Sequence, residues 1–198
     1  MIDSVRILTA RQFAEQKFSL PEGGRWHELH DGLPVLLSSP DDGHGTIVLN
    51  ITRRLATWLQ QSVSEKRYAC HDVGLHVRSN PDTVYVPAIT VFESDVRFSQ
   101  TDMIIATEVP RLVVDVASSN DRRTDMRRRT HAFSELGVQM IWVPDPFKKE
   151  IQVLQRGRPI QALGDWQTIS GGDVLPGFTM AVKDVFAQPG WWTAPRQS

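Results

Sequence analysis

An apolar run in the middle of the chain, Arg111-Leu-Val-Val-Asp-Val-Ala, restricts the fold more than any other feature. Its apolar side chains do not alternate with polar ones, which is typical of a strand covered on both faces. Such a strand needs other elements packed against each side of its sheet. The run therefore predicts a layered α/β fold in which Asp115 is a buried carboxylate.

Other segments supply the expected layers. Helical spacing of apolar residues predicts a long helix over residues 43–63 and another over residues 121–136, capped by Ser119, Asn120 or Asp121. A short helix follows Thr9, and residues 94–109 are expected to be mostly loop. Strands are predicted over residues 26–29, 33–37, 68–77, 83–92, 138–143, 150–154 and 159–163. The predicted fold is a single α/β domain over residues 1–187, with a mixed sheet flanked by helices.

Residues 188–198 form a predicted tail that carries Trp191 and Trp192. These two side chains fit docking on a partner or packing on the body of the domain, and both interpretations remain open.

An arginine lies on the apolar stripe of the helix after Asp121. Met126 and Phe133 are three and four positions from Arg129, so these side chains share one face. An arginine that faces inward needs a negative partner, and Asp115 is the nearest candidate in the chain. Two interpretations follow: a functional site, or an ion pair that only joins strand to helix.

Three further features are weaker functional candidates. Glu28 lies in the first predicted hairpin. His44 begins the long helix, where it could contact a phosphate or act as a local cap. The arginines around Arg129 fit a solvated helix face or a phosphate-binding surface; they are Arg122, Arg123, Arg127 and Arg128.

Charge and cysteine content limit the functional classes. The net charge of −1 means that nucleic acid would be attracted only by a local basic patch. The single cysteine, Cys70, excludes an intrachain disulfide and a cysteine-ligated zinc site, and fits a reducing cytoplasm. The first ten residues lack the apolar segment of a signal peptide, and no apolar run is long enough to cross a bilayer. We therefore expect a cytoplasmic protein without a membrane partner.

Short motifs follow one another in a fixed order over about residues 8–186. The first half of the chain has His27-Glu28-Leu29-His30-Asp31-Gly32, then Ser39-Pro40 with His44, then Pro87-Ala88-Ile89-Thr90-Val91. The second half has Asp115-Val116-Ala117-Ser118, then Asp125, Arg129, Phe133 and Gly137-Val138, then Trp142 with Asp145-Pro146, and finally Val174-Leu-Pro-Gly-Phe. In this order and spacing, the motifs resemble the Uma2 family of putative restriction endonucleases, within the PD-(D/E)XK nuclease superfamily.

This resemblance implies a restriction-endonuclease-like fold and Mg²⁺-dependent hydrolysis of DNA phosphodiesters, with Mn²⁺ as a substitute ion. By the resemblance, Asp115 and Glu28 are the metal-binding acids, and Arg129 takes the place of a catalytic lysine. Ala88 stands where the family has a metal-binding aspartate. If the protein binds DNA, His44, Arg122, Arg123 and Arg128 are the candidate contacts, from their place at a helix start and in the arginine cluster.

The departures at these positions predict an impaired enzyme. Ala88 carries no metal ligand, and Arg129 is a poor substitute for a compact ammonium group. The Ala88 substitution fits either an engineered change or a natural loss of activity. Restoring Asp at position 88 is expected to raise cleavage. The alternative is an inactive module that binds nucleic acid or a protein partner on the same fold, and the resemblance makes a homodimer an expectation.

Overall fold

The computed structural model describes residues 7–61, 66–95 and 104–190. Within these ranges the helices are α1 (Ala10–Gln16), α2 (Asp42–Gln61), α3 (Asn120–Leu136) and α4 (Val182–Val185). The strands are β1 (His27–His30), β2 (Leu33–Leu36), β3 (Arg67–His71), β4 (Gly74–Arg78), β5 (Thr83–Tyr85), β6 (Ile89–Glu93), β7 (Ile105–Ala106), β8 (Leu112–Val114), β9 (Met140–Asp145), β10 (Glu150–Gln155), β11 (Gln161–Leu163), β12 (Thr168–Ser170) and β13 (Thr179–Ala181).

The strands form two large sheets and one small one. The first sheet has the order β2-β1-β5-β4-β7, and the second has the order β11-β10-β9-β8-β6-β3. Both sheets are mixed, because β4 pairs with β7 and β8 pairs with β9 in parallel, whereas the other neighbours are antiparallel. This confirms the predicted α/β class with mixed sheets and flanking helices.

The central strand β8 is buried on both faces, as its apolar run predicts. Val114 belongs to an apolar cluster that includes side chains of α2, and Val113 belongs to a second cluster that includes side chains of α3. The two helices therefore cover opposite faces of the second sheet.

The ends of the predicted helices agree with the structure. The Thr9 hydroxyl accepts from the backbone N–H of Gln12 at the start of α1, and the Ser119 side chain accepts from the backbone N–H of Arg122 at the start of α3. Gly137 ends α3 in the left-handed conformation.

Two predicted strands are wrong in the same way, because each is divided between the two large sheets. The strand predicted over residues 68–77 breaks at Asp72, whose φ of 53° is incompatible with an extended strand. The strand predicted over residues 83–92 breaks before Ile89, at Pro87, which has no N–H to donate to a ladder. The chain thus passes from one sheet to the other at both points.

Smaller differences concern the second half of the chain. The predicted loop over residues 94–109 contains the short strand β7, and β12 and β13 form a hairpin that the sequence analysis did not predict. Residues 191–198, with Trp191 and Trp192, lie outside the described residues. Within the described residues, no helix is long and apolar enough to cross a membrane.

Candidate functional site between the first hairpin, β8 and α3

Arg129 occupies the centre of the candidate site. Its side chain is 1% exposed and projects from the buried face of α3, as the helical spacing predicts. The guanidinium lies 4.5 Å from the centre of the Tyr85 ring, so an aromatic face covers part of the cation. A buried guanidinium of this kind needs negative partners close by.

Two carboxylates satisfy Arg129. Its Nη1 and Nη2 donate to Oε2 and Oε1 of Glu28 at 2.5 and 2.9 Å, and its Nε donates to Oδ2 of Asp115 at 2.6 Å. Burial lowers the pKa of Arg129, but the charges of Asp115 and Glu28 outweigh it and raise that pKa above its ordinary value. The guanidinium is therefore a fixed cation that joins β1, α3 and the residue after β8.

The hydrogen-bonding capacity of Glu28 is fully used. In addition to Arg129, its Oε1 accepts from the backbone N–H of Val86 at 2.7 Å, and its Oε2 lies 2.9 Å from Nε2 of His30. Because a carboxylate can only accept, Nε2 of His30 carries the proton. Burial raises the pKa of Glu28, but the charge of Arg129 and the hydrogen bonds from His30, Arg129 and Val86 together lower it to about 2. Glu28 is thus a charged, saturated carboxylate.

Asp115 is only partly satisfied. Its Oδ1 is buried and has no hydrogen-bond partner among the described residues. The nearest cation is Nη1 of Arg122 at 4.0 Å, which is beyond hydrogen-bonding distance. One carboxylate oxygen of the site is therefore free of direct protein donors.

Ala88 lies beside Asp115 by the register of the sheet. The ladder between β6 and β8 ends with Ile89 opposite Val114, so residue 88 is the next position toward Asp115. Ala88 is 5% exposed and its side chain belongs to the apolar cluster that includes side chains of α2, whereas the side chain of Asp115 contacts Arg129 of α3. The side chain of residue 88 has no polar atom to contribute to the site.

The arrangement does not fit a magnesium ion. Mg²⁺ needs several oxygen ligands in near-octahedral geometry, yet Glu28 has no free lone pair and Ala88 offers no side-chain oxygen. Only Oδ1 of Asp115 is available, and the cations of Arg129 and Arg122 lie next to it. Within residues 7–61, 66–95 and 104–190, no group of three or more His, Cys, Asp or Glu side chains could hold a metal ion.

The four residues expected to contact DNA are mostly engaged within the protein. His44 is 8% exposed, and its Nδ1 lies 2.8 Å from Oγ of Ser118, which joins the start of α2 to the loop before α3. Burial first, and then the Arg122 charge, lower the pKa of His44 to about 4, so its ring is neutral at pH 7.

Arg123 forms an ion pair with Asp145 and donates to the backbone carbonyl of Ala117 at 2.7 Å. Arg128 is exposed and pairs with Asp125 at 3.0 Å. That these two arginines contact DNA stays a prediction. Each of them already has an acidic partner within the protein.

Arg122 differs from its neighbours because it faces a cleft. A cavity of about 410 Å³ lies beside the candidate site, and its walls include Arg122, Glu28, Trp26 and Lys17. Lys17 is the functional candidate that the sequence analysis missed, since nothing in the local pattern of a short helix end marks it. His30 could have been suspected, because strand alternation places it on the same face as Glu28.

Comparisons with known proteins agree with the sequence motifs. The sequence matches the model of the Uma2 family, described as putative restriction endonuclease, over residues 14–183. The fold is similar to the crystal structure of a putative nuclease belonging to DUF820 from Anabaena variabilis, with a TM-score of 0.69 and 18% sequence identity. That similarity covers 90% of this chain and 97% of the other chain. No curated protein matches the sequence.

Proposed function

Because this chain belongs to the Uma2 family of putative restriction endonucleases, we propose that it descends from Mg²⁺-dependent DNA endonucleases and is impaired in phosphodiester hydrolysis. One observation carries the proposal: Arg129 engages both Glu28 and Asp115, and the position next to Asp115 is Ala88. In the family site, carboxylates would concentrate negative charge for a cation; here a guanidinium pairs with both carboxylates.

Two substitutions act together in this proposal. Asp at position 88 would add a carboxylate at the backbone position next to Asp115, but Arg129 would still hold Glu28 through two hydrogen bonds and repel a cation. Lysine at position 129 would present a compact ammonium group that cannot donate to Glu28 and Asp115 in the same forked geometry. Carboxylate oxygens would then be free for a hard cation such as Mg²⁺ or Mn²⁺.

The experiment compares plasmid cleavage and Mn²⁺ binding by the unchanged protein, Ala88→Asp, Arg129→Lys and the double variant. We expect no detectable cleavage by the unchanged protein, a small gain for Ala88→Asp, and the largest gain in both measurements for the double variant. Ala88→Asn is the matched control, because it has nearly the size of Asp without the charge. Circular dichroism establishes that each variant is folded.

Two results would contradict the proposal. Efficient Mg²⁺-dependent cleavage by the unchanged protein would show that the site is not impaired. A folded double variant that neither binds Mn²⁺ nor cuts DNA would show that this site does not derive from that of a metal-dependent enzyme.

A second candidate is a protein that binds nucleic acid without cutting it, and the orientation of Arg122 toward the cleft favours it. Non-specific binding to DNA would weaken with salt, with a slope set by the number of neutralised phosphates. Reversing the charge of the exposed Arg127 and Arg128 should reduce that slope, whereas salt-independent binding would contradict this candidate. A homodimer also remains a proposal, to be tested by the mass of the protein in solution.

A further inference from the structure

The cleft beside the candidate site contains a cation without a hydrogen-bond acceptor. The Arg122 side chain is 6% exposed and lines the cleft, and its Nε is buried with no partner among the described residues. The closest carboxylate oxygen, Oδ1 of Asp115, is 4.0 Å from Nη1. A buried guanidinium N–H without an acceptor is costly, because this donor loses water and gains nothing in exchange. The cleft therefore lacks an acceptor where Arg122 projects.

A second cation lines the same cleft. Lys17 follows α1, and within the described residues its ammonium group forms no ion pair; it lies 5.9 Å from the centre of the Phe13 ring. Burial lowers the pKa of Lys17 despite the opposing charges of Asp72 and Glu28. An anion in the cleft would stabilise this ammonium group as well as the guanidinium of Arg122.

The carboxylates of the cleft do not cancel these cations. Glu28 lines the cleft, but Arg129, His30 and Val86 already use its hydrogen-bonding capacity. Asp72 is exposed, so water and salt screen its charge. Lys17 and Nε of Arg122 therefore keep donors that no acceptor of the described residues occupies.

Aromatic side chains complete the cleft. Phe18 is 73% exposed, and Trp26 is partly exposed with its backbone at φ 59°, a conformation that bulky residues rarely adopt. Both rings line the cleft. Exposed aromatic faces next to cations are the combination that holds a base and its phosphate in sequence-tolerant nucleic-acid binding.

We propose that this cleft binds a nucleoside monophosphate group, with the phosphate on Arg122 and Lys17 and the base against Phe18 and Trp26. The volume of about 410 Å³ lies within the range of small-molecule sites. The group can come from a free nucleotide or from the phosphorylated end of a strand. This inference rests on the proposed function in one respect: nucleic acid is expected to be a source of the phosphate group.

Calorimetric titration of the full chain without divalent metal tests the proposal. The probes are dAMP, deoxyadenosine, inorganic phosphate, and one short oligonucleotide with either a 5′-phosphate or a 5′-hydroxyl end. We expect dAMP to bind at least about tenfold more tightly than deoxyadenosine, because charge-assisted hydrogen bonds to phosphate contribute about 1.5–3 kcal/mol each. A preference for the phosphorylated oligonucleotide over dAMP would assign the strand end as the source, and the reverse would assign the free nucleotide.

Two variants and one control locate the binding. Arg122→Gln and Lys17→Gln should each weaken dAMP binding about tenfold or more, whereas Arg156→Gln, at an exposed arginine that does not line the cleft, should leave it unchanged. If Arg122→Gln does not fold, Lys17→Gln alone decides the outcome. Equal affinity for dAMP and deoxyadenosine, or unchanged dAMP binding by a folded Lys17→Gln, would overturn the proposal. Since no metal is present, the outcome is independent of the cleavage experiments.

Discussion

Glu28 and Arg129 meet through two nearly parallel hydrogen bonds although they are 101 positions apart in the chain. Both side chains are almost completely buried. The pair joins the first hairpin to α3, and Asp115 extends it to the end of β8. The charged cluster thus joins three separate elements and leaves only Oδ1 of Asp115 without a hydrogen-bond donor among the carboxylate oxygens of the two acids.

Removal of Arg129 should destabilise the fold severely. Arg129→Leu leaves the carboxylates of Glu28 and Asp115 buried without their main counter-charge, and breaking such a pair costs about 3–5 kcal/mol. The free energy of unfolding, measured by urea titration, should therefore fall by that amount.

Arg127→Leu is the control for this substitution, because Arg127 is exposed on the same helix. We expect a change within about 0.5 kcal/mol for it. Equal losses for the two variants would show that the buried cluster contributes no more than a surface arginine.

Stability should decrease with acid in two separate ranges of pH. The pKa of His44 is about 4 in the folded chain against an ordinary 6.5, and the pKa of Glu28 is about 2 against 4.5. Both groups bind protons more weakly when folded, so stability rises with pH through each range. The contribution of His44 is complete above pH 6.5 and is lost toward pH 4, and that of Glu28 is complete above pH 4.5 and is lost toward pH 2. Each amounts to about 3 kcal/mol at 1.36 kcal/mol per pH unit.

Urea unfolding at a series of pH values separates the two contributions. His44→Gln should flatten the curve between pH 6.5 and 4 and leave the lower range intact, and Glu28→Gln should do the reverse. A curve that keeps its slope in both variants would exclude these two groups as its origin.

Two glycines in helices should respond to alanine in opposite directions. Gly45 lies within α2, and a Cβ there would meet no atom within 4 Å, so Gly45→Ala should stabilise the protein by about 0.5–1 kcal/mol. Gly137 ends α3 with a φ of 104°, so Gly137→Ala should destabilise it by about 1–2 kcal/mol through backbone strain. Melting temperatures of the two variants should shift in opposite directions. Shifts of the same sign would contradict the backbone explanation.

Features with a local cause were predictable from the sequence. The inward position of Arg129 follows from its spacing to Met126 and Phe133, and the Ser119 cap follows from its place before α3. The division of residues 68–77 between two sheets was not predictable, because nothing in the apolar residues around Asp72 marks a change of sheet. Only the left-handed backbone of Asp72 reveals the break.

The residues of the candidate site were predictable from the sequence, but the contacts between them were not. The sequence motifs named Glu28, Asp115, Ala88 and Arg129, but they did not indicate that Arg129 would donate three hydrogen bonds to the two acids. They also did not indicate that Lys17 and Arg122 line one cleft. Such contacts depend on how distant elements approach each other, which a local pattern cannot specify.

The amino-acid sequence alone determined the α/β class, the helix faces and their caps, and the family to which the chain belongs, because periodicity and capping act between residues a few positions apart. The tertiary structure alone decided that Arg129 pairs with both acids and that Arg122 and Lys17 line an aromatic-lined cleft. Charge balance in a buried site depends on distances of a few ångströms between groups from separate elements, and only the packed chain sets those distances.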